Sequence, residues 1–321
     1  MTESKLQLHC LLKIKIALEN YDKRRGNTKS YINRSSYNFV HSVMLVYKMS
    51  QIVSFLKYLL LTAISWIESI IIHLIPTKLL LRNINNELVL ITGAGNGIGR
   101  QLAIKFAKEG CRIVLWDIDQ KGLDETCKQI ESLNKSCWKY VCDLTNRNEV
   151  YTTAKKVKDE IGTVTILVNN AGYATKSMFL EKRDEDIIKT FEVNVLAHFW
   201  TCKAFLPDMM SANKGHIVSI ASLAGYLGTI GLTDYCSSKF AAVGFLESLK
   251  MELMAKGCEN IVFTEVSPYF IDTRMFSGIN SRIIPVLDPE RVAERVVNAV
   301  RAKREFLYLP SPLWLLVAIK Q

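Results

Sequence analysis

The stretch ELVLITGAGNGIGR, residues 87–100, places an apolar run directly before a turn that contains four glycines. The leucines, valine and isoleucines of ELVLIT predict a buried strand, and residues 100–108 have the apolar spacing of a helix. A strand, a glycine-rich turn and a helix in this order begin a unit in which parallel strands are joined by crossover helices. This stretch therefore predicts an α/β fold.

Six further strand-like runs continue the pattern: CRIVLW (111–116), SCWKYVC (136–142), VTILVN (164–169), GHIVSIAS (215–222), NIVFTEV (260–266) and EFLYLP (305–310). Helical stretches lie between them, among them residues 148–160, 185–191 and 240–255. Strands that alternate with helices of this length predict a single doubly wound, Rossmann-type parallel sheet of about seven strands.

The spacing of the glycines indicates what the first turn binds. Residues Thr92 to Gly99 fit T-G-x-x-x-G-x-G rather than the more common G-x-G-x-x-G. Glycines at Gly93 and Gly97 allow a tight turn and let backbone N–H groups approach a pyrophosphate at the N-terminus of the following helix. We interpret the turn as the phosphate-binding part of a dinucleotide site.

Asp117, at the end of the second predicted strand, indicates which dinucleotide is bound. It follows Gly99 by 18 residues, where a carboxylate accepts hydrogen bonds from both ribose hydroxyls and repels a 2′-phosphate. No arginine or lysine occurs in residues 118–120. The sequence therefore favours NAD over NADP. Asp143, after the third predicted strand, has two interpretations, a contact to the adenine edge or a role in the turn.

Tyr235 and Lys239, in DYCSSKF (234–240), are the candidate catalytic pair. Positions four apart share a helix face. The ammonium of Lys239, together with the charge of an oxidised nicotinamide, would favour the phenolate and lower the tyrosine pKa from its ordinary value of about 10. Tyr235 would then accept the proton of a substrate hydroxyl while hydride leaves the same carbon.

The motifs TGAGNGIG, NNAG and the Tyr–Lys pair, together with Asn194 in FEVNV, resemble the short-chain dehydrogenase/reductase family over about residues 88–310. Ser222 precedes Tyr235 by thirteen residues, the usual step in that family. The resemblance implies that Ser222 hydrogen-bonds the substrate oxygen and that Tyr235 is the general base. It also implies that Lys239 binds the nicotinamide ribose and that Asn194 holds a water that relays protons.

The same resemblance implies the residues that hold NAD. NNAG (169–172) would lie beside the cofactor, and Pro268 and Thr273 in VSPYFIDT would face the nicotinamide. Tyr269 stands where the family often has glycine, and it either narrows the pocket or packs outward. The full cofactor-binding set is Gly93, Asn96, Gly97, Ile98, Gly99, Asp117, Asp143, Leu144, Asn170, Ala171, Gly172, Tyr235, Lys239, Pro268 and Thr273.

The residues around these motifs, such as VLWDID and YCSSKFAAVGF, resemble a branch of the family that oxidises retinoid, steroid or related lipid alcohols. For this chain the resemblance implies a lipid-alcohol substrate, attachment to endoplasmic reticulum or lipid droplets, a cytosolic catalytic domain and a homodimer. The largely apolar substrate loop, residues 274–287, suits such a substrate. Two alternatives stay open: an NADPH-type ketone or ketoacyl reductase, and a lipid-droplet surface protein with a structural nucleotide site.

The N-terminal part of the chain divides into two predicted segments. Residues 1–48 carry nine basic and three acidic side chains, and we expect a disordered extension or sequence that is absent from the working protein. Residues 49–85 contain an apolar run, 58–75, that predicts a membrane anchor, with a buried helix of the domain as the alternative. Residues 86–321 form the predicted NAD-binding short-chain dehydrogenase domain.

Charge and cysteine content exclude two classes of function. Residues 1–48 account for +6 of the net charge of +10, so only +4 belongs to the rest of the chain and nucleic-acid binding is not expected. The eight cysteines are scattered without a C-x-x-C pair or a neighbouring histidine, whereas metal sites need tighter clusters. We therefore expect reduced thiols and no metal.

Overall fold

A computed structural model describes the backbone of residues 34–74, 77–276, 278 and 284–320. It describes the side chains of residues 41–64 and of those residues from 79 onward whose backbone is described. Residues 1–33, and residues 277 and 279–283 of the predicted substrate loop, lie outside this description. By its internal contacts the chain divides into two units, Met1–Ile75 and Pro76–Gln321.

The first unit contains a long helix, α1 (Arg34–Leu74). Its segment His41–Ile64 is long and apolar enough to cross a membrane, and none of it is buried. The helix runs without a break through the expected boundary between residues 48 and 49, and its apolar span begins before the predicted run 58–75. An apolar N-terminal helix is confirmed, although it begins earlier than the unbroken apolar run indicated.

The second unit is built on a sheet of seven parallel strands in the order β3-β2-β1-β4-β5-β6-β7. The strands are β1 (Leu88–Thr92), β2 (Arg112–Asp117), β3 (Cys137–Val141), β4 (Ile166–Asn169), β5 (Gly215–Ile220), β6 (Ile261–Pro268) and β7 (Phe306–Leu309). Each overlaps one of the seven strand-like runs in the sequence. The predicted doubly wound, Rossmann-type fold is confirmed.

Helices cover both faces of the sheet. They are α2 (Gly97–Lys108), α3 (Gln120–Glu131), α4 (Arg147–Glu160), α5 (Asp184–Phe191), α6 (Ala197–Ser211), α7 (Thr233–Ala255), α8 (Pro289–Arg301) and α9 (Trp314–Lys320). Several begin at a side chain that accepts a hydrogen bond from the first free N–H groups, namely Asn96, Asp119, Asn146 and Asp288. These caps fix where each helix leaves the carboxyl edge of the sheet.

β1 shows why the central strands have continuous apolar sequences. Val89 and Ile91 pack into the layer that contains α2, α3 and α8, whereas Leu88 and Leu90 pack into the layer that contains α4, α6 and α7. Because both faces of the strand are buried, alternate residues need not be polar. The strand is therefore held from both sides, and its end provides a rigid base for the glycine turn.

Between α5 and α6 the helix widens into a π-helical turn, Glu192–Leu196. Such turns accommodate one extra residue and occur frequently at functional sites. Asn194 lies in this turn and is completely buried. The turn thus marks a place where the helix departs from regular geometry beside α7, which carries the candidate catalytic pair.

Candidate active site

A cavity of about 810 Å³ lies at the carboxyl ends of the strands. Its walls include the residues that directly follow β1, β2 and β4, namely Gly93, Ile118 and Asn170. The strand order reverses between β1 and β4, which is where open α/β sheets bind their ligands. Both a nucleotide and a substrate can therefore be expected in this cavity.

The turn after β1 has a backbone conformation that requires glycine. Gly93 has a φ of 65°, and a Cβ on it would lie 2.8 Å from the Cα of Ala171. A Cβ on Gly99 would overlap the carbonyl oxygen of Gly93. Asn96 caps α2 by accepting a hydrogen bond from the N–H of Gly97 at 2.7 Å. At these glycines no side chain covers the backbone N–H groups that lead into α2, so a pyrophosphate could approach them.

Asp117 joins the glycine turn to the end of β2. Its Oδ2 accepts a hydrogen bond from the N–H of Gly95 at 2.8 Å, and its Oδ1 accepts one from the N–H of Asp119 at 3.0 Å. Arg100 holds the same turn, because its Nη2 donates to the carbonyl oxygen of Gly95 at 2.6 Å and its Nε donates to Oγ1 of Thr126 at 3.0 Å. Sequence reasoning missed Arg100 and Thr126, since their role depends on the contact between α2 and α3.

A second fixed point joins the ends of β1 and β4. The Oγ1 of Thr92 accepts hydrogen bonds from the N–H groups of Asn170 and Ala171, at 3.0 and 3.1 Å. The Nδ2 of Asn170 donates to the carbonyl oxygen of Thr92 at 2.9 Å. NNAG therefore holds the glycine turn in place as well as lining the cavity.

The fifteen residues expected to bind the cofactor all line this one cavity. Asp143 also acts in the turn after β3, because its Oδ1 accepts hydrogen bonds from the N–H and Oγ1 of Thr145 at 2.9 and 2.8 Å. Its two interpretations are therefore compatible with each other. The cofactor-binding role of the set remains a prediction.

Ser222, Tyr235 and Lys239 all line this cavity, and the side chains of Ser222 and Tyr235 are within hydrogen-bond reach of each other. Ser222 lies just after β5, and the other two residues lie near the start of α7. The Nζ of Lys239 is 5.6 Å from the ring centroid of Tyr235 and donates to the carbonyl oxygen of Ile220 at 2.8 Å. The lysine is thus fixed between the catalytic helix and the end of β5.

Burial controls the protonation of this pair. It raises the pKa of Tyr235 to about 12, and hydrogen bonding with Ser222 acts in the opposite direction. Burial also lowers the pKa of Lys239 to about 8. In the protein without cofactor, burial of the phenolate away from water therefore has the largest effect on the Tyr235 pKa. It is larger than the lowering that we expected from Lys239. Tyr235 needs a further positive charge or donor nearby to ionise near neutral pH.

Asn194 lies beside the site, but its side chain does not line the cavity. Its Nδ2 donates to the carbonyl oxygen of Tyr173 and to Oγ of Ser238, both at 2.9 Å, and its Oδ1 accepts from the N–H of Tyr173 at 2.8 Å. The amide thus joins the loop after NNAG to the residue before Lys239. The sequence did not predict this structural role of Asn194. Its role in holding a water that relays protons remains a prediction from the family resemblance.

The end of the cavity away from the glycine turn is apolar. Its walls include Leu227, Leu232, Tyr269, Phe270, Phe276, Ile284, Leu313 and Leu316. The ring of Phe276 packs edge-on against Tyr235 with centroids 5.6 Å apart, and Tyr269 packs against Phe270 at 4.9 Å. Of the two positions considered for Tyr269, the one in the cavity wall is found. Leu313 and Leu316 were not predicted as site residues, because nothing in their sequence context links them to the motifs.

The parallel sheet, the glycine turn and the Ser–Tyr–Lys set at the switch point define an oxidoreductase of the Rossmann type. The sequence profile of the family described as short chain dehydrogenase matches residues 87–283. The chain belongs to this family, which confirms the resemblance seen in the sequence.

Two relatives match over most of their length. Estradiol 17-beta-dehydrogenase 11 of Rattus norvegicus is 43% identical over 273 residues, which cover 83% of this chain and 91% of the relative. Epidermal retinol dehydrogenase 2 of Mus musculus is 43% identical over 282 residues, which cover 85% of this chain and 90% of the relative. The expected kinship with retinol and hydroxysteroid dehydrogenases is thereby confirmed.

Solved structures of the same fold contain either nicotinamide cofactor. A short-chain dehydrogenase/reductase from Burkholderia phymatum in complex with NAD has a TM-score of 0.67 at 25% identity, over 74% of this chain and 94% of that one. A variant of actinorhodin polyketide ketoreductase with NADPH has a TM-score of 0.63 at 27% identity, over 70% and 95%. The choice between NAD and NADP therefore has to be argued from the residues of this chain.

Proposed function

We propose that the protein is a membrane-associated, NAD-dependent dehydrogenase of a lipid alcohol, with Tyr235 as the general base. The observation that supports this best is that Ser222, Tyr235 and Lys239 line one cavity together with the glycine turn and with apolar side chains such as Phe276, which contacts Tyr235. A nucleotide in the glycine-lined half and an apolar alcohol in the apolar half would have their reacting ends at these three residues.

The residues of the glycine-lined half fit NAD. Backbone N–H groups at the start of α2 would hold the pyrophosphate, and Asp117 would hold the adenosine ribose. In the described lining, the charged residues next to β2 and β3 are Asp117 and Asp143, and both would repel the 2′-phosphate of NADP. Leu144 would lie beside the adenine, and Pro268 and Thr273 beside the nicotinamide. Bound there, NAD supplies the hydride acceptor and, when oxidised, a positively charged ring.

The chain's own residues handle the proton. A positive charge beside Lys239 would lower the pKa of Tyr235 from the value of about 12 that burial gives it, and the phenolate would then accept the substrate's hydroxyl proton. Ser222 would hold the substrate oxygen as its charge changes. Lys239 would bind the nicotinamide ribose, and a water held at Asn194 would return the proton to solvent.

The apolar half of the cavity supports a lipid substrate. Leu227, Phe270 and Leu316 line it, and Phe276 brings an apolar wall to the ring of Tyr235. A primary or secondary alcohol on a hydrocarbon body would bury that body here and present its hydroxyl to Tyr235. The names of the two relatives support retinol and a hydroxysteroid as candidate substrates, and we place retinol first.

The proposal extends to where the protein acts. We expect α1 to anchor the chain in endoplasmic reticulum or on lipid droplets, with the dehydrogenase domain, residues 86–321, in the cytosol. We also expect a homodimer formed through α6 and α7. The exposed apolar side chains of Phe199, Phe240 and Met251 on these helices support that arrangement.

The test is cofactor reduction by the full chain in detergent, with all-trans-retinol and a panel of hydroxysteroids, and with NAD and NADP in parallel. We expect turnover with NAD that is lost in Tyr235→Phe. The matched control is Tyr140→Phe, which removes a phenol hydroxyl bonded to Glu160 outside the cavity. Undiminished turnover in Tyr235→Phe would refute the general-base role, and NAD binding without turnover of any lipid alcohol would refute the substrate class.

A further inference from the structure

Three segments around the apolar end of the cavity carry apolar side chains that point into solvent. We call them together the apolar rim: residues 173–180, 223–233 and 311–320. The most exposed side chains are Leu180 at 94%, Ile230 at 83% and Ile319 at 74%. Met178, Phe179, Trp314 and Leu315 are also more than half exposed. Contiguous exposed apolar residues on this scale mark an interaction surface.

Direct contacts join the three segments of the rim to one another. The N–H of Ser177 donates to the carbonyl oxygen of Gly231 at 3.1 Å, which joins the first two segments. Leu227 packs into the same cluster as Leu313 and Val317, which joins the second segment to α9. Lys320 also donates to the carbonyl oxygen of Tyr226.

The rim borders the opening of the cavity toward its apolar end. Thr229 and Leu232, on either side of exposed Ile230, line the cavity. Leu316 of α9 also lines it, although half of that residue is exposed. A molecule that lies on the rim therefore meets the apolar half of the cavity without passing the glycine turn.

The charges of the rim identify what it contacts. The charged residues within its three segments are Lys176 and Lys320, and exposed Glu181 follows Leu180 directly. A surface that combines protruding apolar side chains with lysines matches a lipid surface with anionic headgroups. A second copy of the same rim would bring its two lysines to the contact as well, and such like charges disfavour self-association through this face.

We infer that the apolar rim enters a lipid surface and places the mouth of the cavity against it. Leu180 and Ile230 would then lie among acyl chains, and Lys176 at the headgroups. A lipid alcohol would pass from the membrane into the cavity without crossing water. The passage of a lipid alcohol into the cavity rests on the proposed function, whereas lipid contact by the rim does not.

The experiment is photo-crosslinking of the full chain on phosphatidylcholine vesicles, with and without phosphatidylserine. A diazirine amino acid replaces Leu180 or Ile230, and Val141 is the matched control. Val141 lies on β3, outside the rim and outside α6 and α7, and is 45% exposed. On protein that floats with the vesicles, we expect lipid adducts at the rim positions to exceed those at Val141 by about tenfold, since burial of one large apolar side chain corresponds to at least that factor.

A second measurement tests the charge. Lys176→Gln should lower the lipid adduct yield at Ile230 by up to about fivefold when phosphatidylserine is present, and should leave it unchanged in phosphatidylcholine alone. Adducts to a second copy of the chain at Leu180 or Ile230, or yields equal to those at Val141, would overturn the inference. The adducts form without turnover, so the two ideas can fail separately. Lipid crosslinking at the rim in a protein that oxidises no lipid alcohol would support the inference and refute the proposed function.

Discussion

The Nζ of Lys182 lies 2.7 Å from Oδ1 of Asp234, and each side chain is only 1% exposed. Oγ1 of Thr190 donates to the other carboxylate oxygen at 3.0 Å, and Lys182 also donates to the carbonyl oxygen of Thr175 at 2.5 Å. Asp234 directly precedes Tyr235 in α7. This ion pair therefore fixes the start of the catalytic helix to the loop that follows NNAG.

Removal of one partner should be strongly destabilising. In Lys182→Met the carboxylate of Asp234 stays buried without its counter-charge, and we expect the free energy of unfolding to fall by about 3–5 kcal/mol. The measurement is denaturant unfolding of the domain in detergent. Lys155→Met is the matched control, because its pair with Asp159 is exposed and should contribute little.

Replacement of both partners separates stability from positioning. Lys182→Met with Asp234→Leu removes both buried charges, and we expect most of the unfolding free energy to return. The kcat of the double variant should remain below that of the unmodified protein, and its KM should change little. The reason is that the start of α7 has lost its ion pair to the loop after NNAG. Full recovery of kcat together with stability would show that the pair only stabilises the fold.

The charge of Asp117 should determine the cofactor preference. Asp117→Asn keeps an acceptor for the N–H of Gly95 but removes the repulsion of a 2′-phosphate. We expect the ratio of kcat/KM for NAD over NADP to fall by about tenfold, since one repulsion near a protein surface is worth roughly 1–2 kcal/mol. Asp119→Asn is the control, because that side chain caps α3 without lining the cavity. Equal changes in both variants would contradict the role of Asp117.

His216 should contribute to acid sensitivity of the fold. Its Nε2 pairs with Oγ1 of Thr264 at 2.7 Å and its Nδ1 with Nη2 of Arg82 at 3.1 Å, and burial lowers its pKa to about 3. A histidine whose pKa is lower in the folded state is protonated first in the unfolded chain. Its stabilising effect is therefore complete above about pH 6.5 and is lost as the pH falls toward 3.

We expect the free energy of unfolding to fall by about 1.4 kcal/mol per pH unit for this residue within that window. His216→Asn should remove this part of the slope, which thermal or denaturant unfolding at several pH values would measure. His198, whose pKa burial also lowers to about 3, should make a separate contribution of the same sign. An unchanged slope in His216→Asn would contradict the assignment.

Asn134 provides a test of membrane topology. It begins the sequon Asn-Lys-Ser and lies exposed after α3 with a φ of 57°. The chain also contains the sequon Asn33-Arg-Ser before the apolar span of α1, so the test uses the Asn33→Gln variant. With the domain in the cytosol, we expect no glycan on this variant made in mammalian cells, measured by gel mobility with and without a glycosidase. Fusion of a cleavable secretory signal before the domain is the control that should produce the glycan. A glycan on Asn33→Gln without that fusion would place the domain in the lumen.

The fold and much of the cavity could be predicted because their signals are local. Seven apolar runs separated by helical stretches determine a parallel sheet, and the glycines before α2 and the Tyr–Lys spacing lie within short motifs. Parallel topology then brings these motifs to one edge of the sheet. Leu316 and the Lys182–Asp234 pair could not be found in this way, because their contacts join segments that are far apart in the sequence.

Two further features of the structure could not be predicted from the sequence, for other reasons. The start of α1 could not be read from an apolar run, since Lys48 and Lys57 interrupt the apolar pattern but not the helix. The rise of the Tyr235 pKa in the protein without cofactor could not be predicted, because the neighbouring charge is evident from the sequence, whereas the depth of burial is not. Burial depends on side chains such as Phe276, whose contact with the tyrosine ring only the structure reveals.

The wide turn at Glu192–Leu196 limits how this protein can tolerate insertions and deletions. Deleting one residue there would restore a regular α-helix and keep the later residues of α6 on the same face, because the π-turn absorbs one extra residue. Phe205 and Met209 would stay in the core, whereas the amide of Asn194 would lose Tyr173 and Ser238. A one-residue deletion at this turn would therefore leave the helices packed and release the loop after NNAG from α7.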